Sequence, residues 1–421
     1  MALSIIPENQ YLVKLPPANL IREQWQGSDL VQRLRLVFDS LDDTRLIWVL
    51  EDESWRGRRG YSTKVLWRSL LAGYVLGLDT VAALIRALHE NPFLAHVCEV
   101  TSVKNIPTKS AYSRFIKRLA SHNDLVRQCM AGLATELAQE LPRFGEIVAV
   151  DSTDVSAWSN GAKKRASDPD ATWSAKGGRN GERKWWFGYK VDLLCDATHE
   201  IPITFNVTTG ARHDSMEIIP LLEDAVQVIP DVPRYVLADA GYDTKRVYRE
   251  IVEDFGAMPI IKLNLHGKKP DDVYDELTDW EGKPYCKNGF AMVATGFDES
   301  TDELIYGCPE LVDQAECTWL DKCPDPSEQE VRIRISDDYR RFCQVARGSR
   351  EWSMLYTLRG SVERVFGRLK GFRALNYVTL RGMDKVELHC LLSVIVMQAM
   401  ALGKAKANAL DEVRNNVRRA A

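Results

Sequence analysis

Among 421 residues no stretch approaches eighteen uninterrupted apolar side chains, so a membrane span is not expected. The opening MALSIIPENQYLVKLPP lacks a charged segment followed by a long apolar run, so no secretory leader is expected and the cytoplasm is the expected compartment. Histidine is scarce: there are seven, none paired at i,i+4, so no histidine cluster competes as a metal site. The nine cysteines form no Cys-x-x-Cys pair, and an odd number argues against a disulfide framework. Internal repeats and low-complexity tracts are missing. So is any overall basic excess, because 55 Lys and Arg face 59 Asp and Glu for a net charge of −4.

That average conceals an asymmetry. Ser159 to Lys190 carries eight Lys and Arg against three Asp and Glu, about +5, whereas Asp271 to Arg340 carries six against nineteen, about −13. A polyanion needs a basic stripe rather than a basic whole. Up to about residue 140, apolar residues recur at three- and four-residue spacing, which predicts helices. Pro107-Thr108 predicts a cap for KSAYSRFIKRL, in a helix–turn–basic-helix pattern that presents Lys109, Arg114, Lys117 and Arg118 either to DNA or simply to solvent. From Gly145 the pattern changes to short β-branched runs. EIVAVDST, WWFGYKVDLLCD, IPITFNVTTG, RYVLADAGYD and AMPIIKL predict strands, with helices at SMEIIPLLEDAVQVI and TKRVYREIVEDFG. The expected fold is therefore α/β with a mixed sheet, preceded by an all-α segment. The expected boundaries are 1–143 (helical), 144–265 (sheet core), 266–350 (an acidic, cysteine-bearing insertion), 351–405 (returning helices) and 406–421 (a polar tail).

Asp151 and Asp239 each end an apolar strand, where a carboxylate is held rigidly at the sheet's edge. In LYTLRGSVERVFGRLKGF, read as one helix, Tyr356, Arg359, Glu363 and Lys370 fall at offsets of zero, three, seven and fourteen, within roughly 60° of one another. Such a stripe is unremarkable if it faces solvent. Turned toward two strand-end aspartates, it makes a phosphoryl-transfer site, because in-line displacement at phosphorus needs charge stabilisation on both the entering and leaving oxygens. Carboxylate oxygens suit two magnesium or manganese ions.

These residues resemble the DDE class of insertion-sequence transposases, in the subgroup marked by Tyr-x2-Arg-x3-Glu-x6-Lys. VAVDST, LADAGYD, SDPDATW, GYKVDLL and TGARHDS are similar to further family segments. The resemblance implies a ribonuclease H-like core with a β-rich insertion and an N-terminal DNA-binding domain. It implies Asp151, Asp239 (rather than Asp243) and Glu363 as metal ligands and catalytic residues, with Tyr356, Arg359 and Lys370 at the DNA phosphates. It implies a metal-dependent endonuclease and strand transferase doing cut-and-paste transposition. Its partners would be terminal inverted repeats, target DNA and a second copy of the chain in the synaptic complex, with no membrane, in a prokaryotic nucleoid. Relatives that form hairpin ends stack a flipped base on an aromatic residue of the insertion, which makes Trp280, Trp319 and Trp352 candidates.

The basic segment KKRASDPDATWSAKGGRNGERKWW is read as a loop tracking DNA through Lys163, Lys164 and Arg165, with Lys190 just beyond it; an ordinary surface loop is the alternative. His213 is a candidate for substrate or water contact, and Asp214 for the N-cap of the helix that follows. Asp154 is read as a cap or solvent-facing residue beyond the strand. Cys286, Cys308, Cys317 and Cys323 are candidate zinc ligands, with buried reduced thiols as the alternative. Two other functions compete: a ribonuclease H-like nuclease or resolvase without strand transfer, and an inactive, domesticated DNA-binding protein.

Overall fold

The computed structural model describes residues 28–54, 60–162, 166–177, 182–265, 278–286, 289–309, 323, 330–376 and 378–415. Before the first strand the described elements are helical: α1 (Asp29–Ser40), α2 (Thr44–Ser54), α3 (Thr63–Val75), α4 (Val81–Glu90), α5 (Pro92–Val97), α6 (Lys109–Ala120) and α7 (Asn123–Glu140). The expected cap on α6 is present, as the Thr108 hydroxyl accepts the Ala111 N–H. One face of α6 is buried through Ala111, Tyr112, Phe115, Ile116 and Leu119, leaving Lys109, Arg114 and Lys117 exposed.

The sheet comprises β1 (Ile147–Ser156), β2 (Thr172–Gly177), β3 (Arg183–Asp196), β4 (Ile201–Thr209), β5 (Tyr235–Ala238) and β6 (Met258–Ile261). Its order is β2-β3-β1-β5-β6, with β4 also on β3. β3 runs antiparallel to β1, β2 and β4, whereas β1, β5 and β6 run parallel. Helix α8 (Ile218–Ala225) follows β4, and α9 (Lys245–Glu253) links β5 to β6. A separate antiparallel sheet of β7 (Val293–Asp298), β8 (Glu303–Gly307) and β9 (Val331–Arg334) lies in the acidic stretch. The chain then returns through α10 (Arg350–Thr357), α11 (Gly360–Phe372) and α12 (Met383–Lys406).

Helices cover both faces of the larger sheet. Helix α11 packs on β1 and β3, where Ser361 meets Cys195, and α8 packs on β3 and β4 from the other side, where Asn206 bonds Glu217. Helix α12 is buried around nearly its whole circumference, against β4, α7 and α1. By length and composition it is the one described helix that could cross a membrane, yet 89% of its most apolar window lies inside the protein. An all-round apolar helix is what a core position requires. One continuous hydrophobic core runs from Leu34 in α1 through the sheet to Leu402 in α12.

Three local expectations need correcting. The basic segment is not wholly a loop, since Thr172–Gly177 forms β2 against Arg183–Gly188; its charged alternation masks an exposed strand. β1 does not end at Asp151. It leaves β5 after Ala149 but stays paired with β3 as far as Ser156, which places Asp154 within the strand. The helix from Tyr356 to Lys370 is broken at Leu358 and Arg359, where the N–H groups of 358, 359 and 361 bond three residues back. Gly360, a weak helix former, sits at that tighter joint.

Candidate active site

Strand register sets the first two carboxylates side by side. The parallel pairing of β1 with β5 closes at Ala149 with Leu237, and Asp151 and Asp239 each stand two residues further on. An even offset keeps both on the same face of the sheet. Asp151 is mostly buried; its own Oδ1 accepts the Ser152 N–H at 2.8 Å. Asp239 leaves β5 and caps the next turn, accepting the Gly241 N–H at 2.7 Å. Glu363 lies in the first turn of α11, which Val362, Val365, Phe366 and Leu369 anchor to the sheet, and its carboxylate is 60% exposed.

Arg359 joins the three. Its Nη2 lies 3.1 Å from Asp151 Oδ2 and 3.4 Å from Asp239 Oδ2, and its Nη1 donates to Glu363 Oε1. Burial pushes the Asp151 carboxyl up to about 6, and Asp239 adds to this while Arg359 opposes it. Burial works against the Arg359 charge, but the three carboxylates outweigh it and raise its affinity for the proton. Among the described residues no three His, Cys, Asp or Glu side chains stand close enough together to hold a metal ion as placed. The triad is spread around a guanidinium instead. Its donors are all hard carboxylate oxygens focused on one positive charge, a set that fits magnesium or manganese.

The other helix residues divide. Tyr356 stacks on Trp352, with ring centroids 4.9 Å apart and planes 10° apart. Lys370 sits one step along β1, its Nζ donating to the Asp154 carbonyl at 3.0 Å, and burial lowers its pKa. Asp154 is half-buried. Burial would raise it, but Lys370 and Lys176, the latter 3.6 Å away, hold it below the usual carboxylate range. It is therefore part of a charged cluster, not a solvent-facing cap. Lys176 went unnoticed in the sequence because β2 did.

Several candidates are engaged elsewhere. Lys190 is buried on the opposite face, bonded to Asp214 at 2.5 Å and to the Arg212 carbonyl, so it is not presented to DNA. That pair also takes Asp214 away from the expected cap, and the His213 ring accepts the Ser215 N–H in its place. Asp192, on the same face, bonds Thr208 and is pushed up to about 7 by burial and by Asp214. Asp243 is engaged by other groups: Arg340 grips both its oxygens at 2.7 and 2.6 Å, and it accepts the Asn264 N–H. Trp352 is covered by Tyr356 on one side and lies within 5.7 Å of the Arg347 guanidinium, so its faces are not free to receive a base. Cys286, Cys308 and Cys323 are partly buried free thiols that meet no third ligand among the described residues. Lys163, Lys164, Arg165, Cys317 and Trp319 lie outside those residues.

The mixed α/β sheet thus brings an aspartate within β1, an aspartate just past the end of β5 and a glutamate on α11 to one guanidinium. The family follows from the chain itself: residues 142–398 match the family described as "Transposase DDE domain", and residues 22–118 match "Transposase domain (DUF772)". The chain belongs to the DDE-class transposase family. No curated protein matches it. Among solved structures, a cryo-EM structure of a piggyBac transposase synaptic complex with hairpin DNA aligns at 10% identity and a TM-score of 0.39, over 94% of this chain and 80% of that one.

Proposed function

We propose that the protein is a cut-and-paste DNA transposase whose catalytic residues are Asp151, Asp239 and Glu363. The observation that carries this reading is the convergence of all three carboxylates on the Arg359 guanidinium. The order of the core strands supports a ribonuclease H-like description: an antiparallel β4-β3-β1 series continues into parallel β5 and β6.

In this reading the carboxylates hold two divalent cations, which when bound activate the attacking oxygen and stabilise the leaving one. Asp151 and Asp239 orient the site through the rigid register of β1 and β5. Glu363, the most exposed of the three, closes it from α11. Arg359 releases the carboxylates and turns its paired N–H donors to a phosphate, for which its planar fork is suited. Lys370 holds a second phosphate as a point charge. Water and a 3′-hydroxyl can use the same site in turn, which allows both hydrolysis at the element's ends and joining to target DNA. Two ends must be brought together, so the working form is a homodimer bound to terminal inverted repeats.

The test is cleavage, in Mg²⁺, of a duplex carrying the DNA end that flanks the gene. Asp151→Ala, Asp239→Ala and Glu363→Ala are each expected to lose activity by more than about a hundredfold while still binding the duplex, as expected when an electrostatic contributor is removed from such a site. Undiminished cleavage by any one of them removes that residue from the catalytic set.

A further inference from the structure

A second concentration of cations lies where the helical segment meets the sheet. A cavity of about 580 Å³ opens between α4, α6, the start of α12 and the chain just beyond β1. Lys109 and Lys117 line it from α6, Lys385 from α12, and Arg381 from the preceding turn, and no carboxylate is among its lining residues. The three lysines make no ion pair among the described residues. Arg381 donates through Nε to the Trp158 carbonyl at 2.9 Å, and the Trp158 indole is 58% exposed beside it. Uncompensated cations around a bare indole favour a ligand carrying repeated negative charge together with flat π faces, the chemistry of a nucleic-acid strand.

The same stretch of chain links the cavity to the acidic centre, since β1 carries Asp151 and runs on to Trp158. Along β1, Arg359 stands at Asp151, Lys370 and Lys176 stand at Asp154, and Arg381 stands at Trp158. From Asp151 to the end of β1 at Ser156 the strand spans about 17 Å at ~3.3 Å per residue, and Trp158 stands at a bend two residues beyond. That strand length matches about five nucleotide steps at ~3.4 Å.

We propose that this groove grips the DNA strand flanking the reacting bond, with its phosphates on Lys109, Lys117 and Lys385 and one unstacked base on Trp158. The inference rests on the site being a DNA-cutting one, and it moves the base-stacking role away from the tryptophans of the acidic insertion.

The test is binding by the full chain, followed by fluorescence anisotropy. The probes are a mixed-sequence blunt duplex and the same duplex with a single-stranded extension, with polyglutamate as competitor. Wild type is expected to prefer the extended duplex. Trp158→Ala loses that preference by on the order of tenfold, as removal of a base–aromatic stack does, and Trp158→Phe retains most of it. The pair Lys117→Gln and Lys385→Gln flattens the salt dependence by about two phosphate contacts' worth. Wild-type affinity and salt slope in all these variants overturns the proposal, as does displacement of the DNA by polyglutamate at equal charge concentration. A protein that binds through the groove yet cuts nothing fails the proposed chemistry alone. One that cuts while the groove variants bind normally fails the groove alone.

Discussion

At the scale of single residues, the acidic centre is held together by one guanidinium, and that makes it sensitive to charge. Removing Arg359 leaves three carboxylates facing one another with no cation. Arg359→Met is expected to lower stability by roughly 1–3 kcal/mol in metal-free buffer, the cost of an unpaired, partly buried charge. Added Mg²⁺ should restore much of this, so the metal-induced rise in Tm should be larger in the variant than in wild type; equal rises would contradict the picture. A second sensitive residue is His389, buried within α12. Its Nδ1 faces the Tyr74 hydroxyl at 2.7 Å and its Nε2 faces the Ala374 carbonyl at 3.0 Å, so the bonds are complete with a neutral ring. Burial lowers its pKa to about 4, against an ordinary 6.5. The folded value lies below the unfolded one, so the unfolded chain takes up the proton first as pH falls. The His389 contribution is intact above about 6.5 and declines by up to ~1.4 kcal/mol per pH unit toward 4. In urea unfolding, the stability difference between wild type and His389→Gln should therefore narrow across that window; a constant gap would show that the ring does not titrate on unfolding.

At the scale of elements, strand register matters most, and one glycine guards it. Gly188 of β3 faces Ser156 of β1 and Thr172 of β2 at once. A Cβ there would lie 2.1 Å from the Val155 carbonyl oxygen and 2.8 Å from the Ala157 nitrogen, and neither backbone atom can swing aside. Gly188→Ala should cost at least about 1–3 kcal/mol in denaturant unfolding, as overpacking does. It should also displace the chain that carries Trp158. A variant of unchanged stability would mean that β1 and β3 separate more readily here than their pairing suggests. Much of this level was legible beforehand. The order of strands and helices from Glu146 to Ile261 follows from apolar runs and turn residues, and the four-residue turn Ala197–Glu200 stands where expected between β3 and β4. β2 escaped because this short edge strand, TWSAKG, has no run of apolar residues on one face to betray it.

At the scale of the whole molecule, the two aspartates after β5 have separate partners. Asp239 faces the acidic centre, whereas Asp243 ties the end of β5 to the segment following β9 through Arg340. Asp243→Ala strands a partly buried guanidinium and is expected to cost about 1–3 kcal/mol in a urea titration. Asp239→Ala should leave stability within about 1 kcal/mol, a near-surface change, yet abolish cleavage. A reversal of those two phenotypes would exchange the residues' roles. The helical segment is joined to the sheet with comparable firmness: Arg127 reaches both the Phe205 carbonyl in β4 and Glu387 in α12, and Asn123 bonds α12 as well. Those ties are why the basic face of α6 and the loop beyond β1 can line a single groove.

The sequence by itself determined the local facts: which segments other than β2 are helix or strand, that Asp151 and Asp239 follow apolar runs, and that Arg359 and Glu363 are one turn apart. These depend on periodicity and propensity, which act over a few residues. Tertiary structure decided what those residues meet. It set Asp239 beside Arg359 and gave Arg340 to Asp243, withdrew Lys190 into an ion pair with Asp214, and covered Trp352 with Tyr356. It also left Trp158 bare among lysines from distant helices. Each of these outcomes depends on contacts between residues far apart in the chain, and no local pattern encodes which distant charge will arrive beside a given side chain.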